Sequence, residues 1–375
     1  MKKIILFIII ACVFSLNVYA DEPKDEIISS MEDELTEFEI SLPDYVKDIL
    51  PKDIFKGNFS SLTDGEINYK TFFDTAINSL LAGIPDVLSS VSLILVSVII
   101  SSVFNTASKG LRISTLNESY NLCSALCISL SVFNLVNGLS KSVITYMRTL
   151  CTVMTSFAPV MTVINIFDGK LSTAALGNAS MMMFIALTEN ILLSCLAPII
   201  SVALVFSIIK SISGDADIGG ISNLIKNTFV TLTVFTMMIF SFIFSFQSTL
   251  TQSADTLSIK TAKFAVGSFI PIVGPSISEA LRTVTASVGF IKSCLGWIGV
   301  ICVLLLTIPT VISLYLHKLC LDICASLSGM IGCEREKSMI TDASGICGFI
   351  LAIIACTGLF FILAISIFLK SAIGA

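Results

Sequence analysis

Leu171 to Ile209 reads LSTAALGNASMMMFIALTENILLSCLAPIISVALVFSII. Glu189 is its one charged residue. A crossing of the hydrocarbon core takes roughly 20 mostly apolar residues, so this run is long enough for two. Two readings stand. In a helical hairpin, which the length favours, Glu189 and Asn190 sit at a solvated turn. In one tilted span, Glu189 is deep and must pair, because charge at bilayer depth is costly.

Further apolar runs flank this one: Ile84–Phe104, Tyr120–Leu139, Val143–Phe167, Phe229–Phe246, Leu295–Leu316 and Ile346–Leu369. About seven spans are expected. Hydrophobic residues make up 55% of the 375-residue chain and charged residues 13%, about half the charged share of a soluble domain. Backbone groups in lipid must pair within the protein, and the alternation of a membrane barrel is absent, so the fold class is an all-α polytopic helical membrane protein.

The N-terminus has a different character. Lys2 and Lys3 precede the apolar stretch Ile4–Leu16, and Val18-Tyr19-Ala20 offers small residues before Asp21. This reads as a secretory signal over residues 1–20, cut after Ala20, with an uncleaved anchor as the other option. Residues 21–80 carry 15 acidic residues against 5 lysines and form an acidic extracytoplasmic segment ahead of a membrane domain over 81–375. Such acidity argues against nucleic acid as a partner. Glu32–Glu39 begins an acidic helix. Leu42, Tyr45, Val46, Ile49 and Leu50 share a face, which either rests on the membrane or docks an extracytoplasmic partner. The first span then ends at Lys109 and Arg112, in keeping with positive charge on the cytoplasmic side, and Lys370 points weakly to a cytoplasmic C-terminus.

Several segments are interrupted. Pro159 and Asp168-Gly169-Lys170 break the third run, and Phe269–Pro275 holds two prolines and a glycine. Residues 264–278 are either re-entrant, which requires burial in protein or a wet cavity, or an interfacial loop. Ser156–Val160 echoes Ser268–Ile272, and Pro198–Ser201 echoes Pro309–Ser313, which suggests a weak internal repeat over 120–213 and 228–330, a pattern found in transporters. The structural or transport candidates are therefore Pro159, Glu189, Asn190, Pro271, Gly274, and the Glu279/Arg282 pair at i and i+3. Arg148 and Lys292 are further charges within or near the apolar runs.

Enzymatic signatures are missing. His317 is the one histidine, placed with Lys318 at the end of a span, and no Ser-His-Asp arrangement or phosphate-binding GxxxxGK[ST] loop is legible. The twelve cysteines lie mostly in apolar stretches without CxxC zinc spacing and read as small packing residues. No catalytic residue, cofactor or metal is expected.

Lys263-Phe264-Ala265-Val266-Gly267-Ser268-Phe269-Ile270-Pro271-Ile272-Val273-Gly274, followed by Ser278-Glu279-Ala280-Leu281 and the Gly296–Gly299 region, resembles the stage III sporulation protein AE family of endospore-forming Firmicutes. With the leader and the acidic segment, the resemblance covers essentially the whole chain. It implies a role in endospore formation. The family is made in the mother cell and assembles with other stage III sporulation A-operon proteins in the membrane around the engulfed forespore. There it meets stage II sporulation protein Q across the intermembrane space, in a channel or secretion-like complex. A sibling, stage III sporulation protein AA, looks like a secretion ATPase, in keeping with the missing nucleotide site here. The alternative reading is a stand-alone secondary transporter with two pseudo-symmetric halves.

Overall fold

A computed structural model describes residues 31–51, 54–55, 69–111, 114–213, 219–269 and 274–370. The leader, its cleavage position and Pro271 lie outside the described residues. Everything regular within them is helical. Two short helices, α1 (Glu32–Ser41) and α2 (Asp44–Lys47), precede long ones: α3 (Tyr69–Leu111) and α4 (Ser114–Phe167). Next come α5 (Leu171–Leu187) and α6 (Leu193–Ser213), joined by a π-helical segment, Thr188–Leu192. The chain ends in α7 (Gly219–Phe269), α8 (Gly274–Met330) and α9 (Glu334–Lys370). Helix α3 starts well before residue 80, so it carries the end of the acidic segment directly into the membrane domain.

Among the described residues six helices are long and apolar enough to cross a membrane, where the sequence divides into seven runs. The difference lies in α4, which joins Tyr120–Leu139 and Val143–Phe167 into one helix of 54 residues. Asn137, Gly138, Ser140 and Lys141 lower the hydropathy between those runs but do not stop a helix, since lost hydropathy on one face leaves the backbone bonds untouched. The hairpin expected within Leu171–Ile209 is likewise not formed: the helix continues through Glu189 and Asn190. Of Thr, Glu, Asn, Ile and Leu only Asn190 tolerates left-handed backbone, and no glycine or proline lies beside it to reverse the chain. Pro159 does not break α4 either, and Pro85, Pro198 and Pro309 also lie inside helices. Neighbouring helices supply the alternative packing that makes such prolines tolerable in membrane spans.

The real stops are glycines. At the end of α4, Gly169 has φ 73°. Lys170 N donates to Asn165 O at 2.9 Å and Gly169 N to Ile166 O at 2.9 Å. This is a Schellman ending, in which a left-handed residue satisfies the last carbonyls. Helix α8 ends the same way at Gly332, φ 82°, with Cys333 N on Ser328 O at 3.0 Å. These turns fold α4 against α5 and α8 against α9.

Helices α8 and α9 form the centre of the bundle and pack on each other most extensively; α4 packs directly on both, and α3, α6 and α7 surround them. Phe184, Phe240, Phe360 and Phe361 lock α5, α7 and α9 together, with Phe184 and Phe360 stacked at 3.6 Å. Cys151, Cys294, Cys302, Cys324 and Cys347 sit in this apolar core.

The acidic segment uses its apolar face within the chain. Met31, Leu35, Phe38 and Leu42 recur every three or four residues, and Val46, Leu50 and Ile54 extend the stripe; all are buried. Helix α1 lies on α4, and α2 touches α8. Phe38 meets Phe157 of α4 with ring centroids 5.3 Å apart, and Phe157 in turn faces Gly299 of α8. Of the face expected to meet lipid or a partner, Leu42, Val46 and Leu50 are buried within the chain, while Tyr45 stays exposed. The acidic residues Glu32, Asp33, Glu37, Asp44 and Asp48 remain exposed.

Candidate functional site

Two polar arrangements interrupt the apolar bundle. The first is closed on itself. Asp168, in the turn after α4, pairs with Lys170 at 2.9 Å and lies 4.0 Å from Lys292 of α8. Lys292 is wholly buried, and its Nζ donates to Oδ1 of Asn165. Asn165 spends its Nδ2 on the Met161 carbonyl at 2.8 Å. On the far side of the turn, Asp255 of α7 accepts from Ser172 N at 3.1 Å, Thr173 N at 2.9 Å and Thr173 Oγ1 at 2.7 Å. Lys170, at the N-cap of α5, makes no side-chain cap. The cap comes instead from another helix, and a carboxylate there suits the positive end of the α5 dipole. Two lysines balance two aspartates, and the cluster pins the end of α4 and the start of α5 to the bodies of α7 and α8. It is a joint rather than a reaction centre.

At the opposite end of the bundle the pairs are similar in kind. Lys210 meets Asp342 at 3.3 Å, and Lys318 meets Asp322 at 2.7 Å with Ser344 bridging them. Glu336 accepts from Ser101 Oγ at 2.6 Å and Ser124 Oγ at 3.0 Å. Among the described residues no three or more His, Cys, Asp or Glu side chains are grouped to hold a metal.

The second arrangement is open. Asn134, Asn137, Lys141, Thr145, Arg148, Thr152 and Thr155 of α4 are all exposed and follow one another at three- and four-residue steps, the spacing of a single helix face. Exposed apolar residues on α4 occur before this stripe (Leu126, Leu130, Phe133) and after it (Ile166, Phe167), and none lies within it. At ~1.5 Å per residue the stripe is ~30 Å long, about the thickness of a hydrocarbon core. Thr145, Thr149 and Thr152 turn their hydroxyls to carbonyls four residues back.

Beside the stripe lies a cavity of about 520 Å³ between α3, α4 and α8. Its polar lining comes from Ser90, Asn134, Ser142, Thr310, Ser313 and His317. His317 is not at a helix end, as its place before Lys318 suggested; α8 continues to Met330, and the ring's Nδ1 donates to the Ser313 carbonyl at 2.8 Å.

The sequence candidates distribute unevenly over these features. Glu189 and Asn190 are exposed, in the π turn. A π turn adds a residue to the helical repeat and so presents adjacent side chains on one side, a device common at functional sites. The π segment that carries Glu189 packs on α4. Pro159 is half-buried within α4. Gly274 opens α8, Glu279 and Arg282 fall in its first turns, and the side chains of that stretch lie outside those described. The joint was legible only in part: Asp168 and Lys170 stand together at the break after α4, but Asp255 and Lys292 lie far along the chain and no spacing ties them to it. The stripe was legible in principle, as a polar period of 3.6 inside an apolar run.

The family model for stage III sporulation protein AE matches residues 53–372. The chain belongs to the stage III sporulation protein AE family. It is 22% identical over 368 residues to stage III sporulation protein AE of Bacillus subtilis (strain 168), covering 94% of this chain and 89% of that protein. No solved structure matches it. The match over most of the chain makes this a multi-pass membrane protein with a role in sporulation and agrees with the resemblance carried by Lys263–Gly274.

Proposed function

We propose that the chain is a non-enzymatic membrane subunit of a sporulation channel or secretion-like complex linking mother cell and forespore. The open stripe of α4 carries this reading. A helix face with two bases and two amides among its hydroxyls cannot rest against hydrocarbon, because charged or unsatisfied polar groups there cost several kcal/mol each. A lone copy in a bilayer is therefore incomplete. The partners are other stage III sporulation A-operon proteins, the ATPase-like sibling among them, and stage II sporulation protein Q across the intermembrane space.

In this reading the membrane is the mother cell's, with α1 and α2 in the intermembrane space. Six crossings then place the connections between α3 and α4, between α6 and α7 and between α8 and α9 in the cytoplasm. Lys109, Arg112, Lys210, Lys226, Arg335 and Lys337 lie near those connections, against Lys170, Lys260, Lys263 and Arg282 near the opposite ones, an excess that slightly favours this orientation.

Gentle detergent extraction from sporulating cells tests the proposal. The expected result is co-purification with other sporulation membrane proteins. Recovery of a lone, monodisperse chain from the same cells overturns it.

A further inference from the structure

The depth of the stripe can be fixed from contacts that run across the bundle. Tyr146 of α4 bonds Thr307 of α8, Oη to Oγ1, at 2.8 Å. Gly358 of α9 packs on Thr307, where an added Cβ would sit 3.0 Å from its side chain. Two residues on, Phe360 stacks on Phe184 of α5 and lies 5.7 Å from Phe240 of α7. Tyr146 and Phe240 thus share one level to within about a helical turn. At that level α7 shows Met238, Ile239, Phe242 and Ile243 outward, with Phe242 70% exposed. So large an apolar surface belongs in lipid. One flank of the bundle at this depth is hydrocarbon-facing, and the flank carrying Thr145 and Arg148 is polar.

We infer that the α4 stripe walls a water-filled pathway for small hydrophilic solutes through the membrane. The pathway takes in the cavity lined by Asn134, Ser313 and His317, follows Lys141, Thr145, Arg148 and Thr152, and leads toward the acidic face of α1, which is anchored on α4 through Phe38 and Phe157. Glu189 and Asn190 border it from the neighbouring π turn. Lys141 and Arg148 have no acidic partner within 4 Å among the described residues. Exposed bases without counter-charges are stable where water solvates them. The hydroxyls are already bonded to their own backbone and still accept from water, as channel walls require.

This rests on the subunit reading, and the two can fail separately. Thr145→Cys, Thr152→Cys, Met238→Cys and Phe242→Cys are introduced singly into the full chain in sporulating cells. Membranes are treated with a charged methanethiosulfonate, and labelling is read peptide by peptide, so that the native exposed thiols Cys123 and Cys127 do not contribute. The thiolate is the reacting species and needs water. The α4 positions should therefore label at least about tenfold faster than the α7 positions of the same depth. Equal fast labelling at Met238→Cys and Phe242→Cys shows that this level lies outside the bilayer and overturns the inference. Slow labelling at Thr145→Cys and Thr152→Cys, in a chain that still co-purifies with its partners, also overturns it while the subunit reading stands. Fast labelling of the stripe alone, in a chain that purifies without partners, supports the pathway and removes the subunit reading.

Discussion

Phe157 holds the acidic segment to the bundle, and Gly299 makes room for it. An added Cβ at Gly299 would lie 2.5 Å from the Phe157 ring, where two carbons in contact prefer about 3.5–4.0 Å. The ring must therefore move by about 1 Å. Its other side is occupied by Phe38, at 5.3 Å between centroids, so the displacement is passed to α1. Overpacking of this kind costs about 1–3 kcal/mol. Gly299→Ala is expected to lower unfolding free energy by that amount in mixed-micelle denaturation and to speed proteolytic cleavage within residues 31–51. Phe157→Leu alone creates a gap and also destabilises. In Gly299→Ala/Phe157→Leu the smaller side chain accommodates the methyl, so the double variant should be more stable than the sum of the single losses, with a coupling of about 0.5 kcal/mol or more. Additive losses, or a Gly299→Ala effect with no change in cleavage of α1, refute the idea that α1 is clamped through this ring.

The ionic joint makes a prediction about order. Asp168→Ala removes the near counter-charge of two buried lysines and should cost about 3–5 kcal/mol, whereas Lys292→Met leaves the Asp168–Lys170 pair in place and should cost clearly less in the same denaturation assay. Asp255→Ala strips the cap from α5 and should cost about 1–3 kcal/mol, with Asp255→Asn recovering part of it because an acceptor oxygen remains. Six crossings put Lys370 on the same side of the membrane as α1, so a C-terminal reporter that is active only outside the cytoplasm should be active; an inactive reporter on a stably expressed chain would mean that one long helix does not cross.

The sequence disclosed the class of fold because hydropathy over twenty residues is a bulk property, insensitive to where any side chain points. It disclosed less about where helices end. Asp168-Gly169-Lys170 was recognisable as a break since glycine there takes φ 73°, a conformation other residues rarely adopt. Pro159 looked like a break and is none, because a proline removes one backbone bond without reversing the chain. Glu189 and Asn190 looked like a turn because polar residues in a long apolar run suggest water. Their exposure is real, but it is met on the side of a continuous helix by the π turn.

The α4 stripe was concealed by the averaging that revealed the spans. Residues Cys123–Phe167 have a mean hydropathy of 1.7 in their most apolar window, because the faces turned to α1, α5, α8 and α3 are built from Val, Leu, Met and Phe. Only the fourth side is polar, and a window mean cannot distinguish a polar side from scattered polar residues. Phase can: from Asn134 to Thr155 every exposed step of three or four residues lands on an amide, hydroxyl or base. In a soluble helix such a face needs no explanation, since water is everywhere. In this chain the opposite flank at the same level presents Met238 and Phe242 to lipid. The same pattern therefore becomes a statement about where water must be inside the membrane.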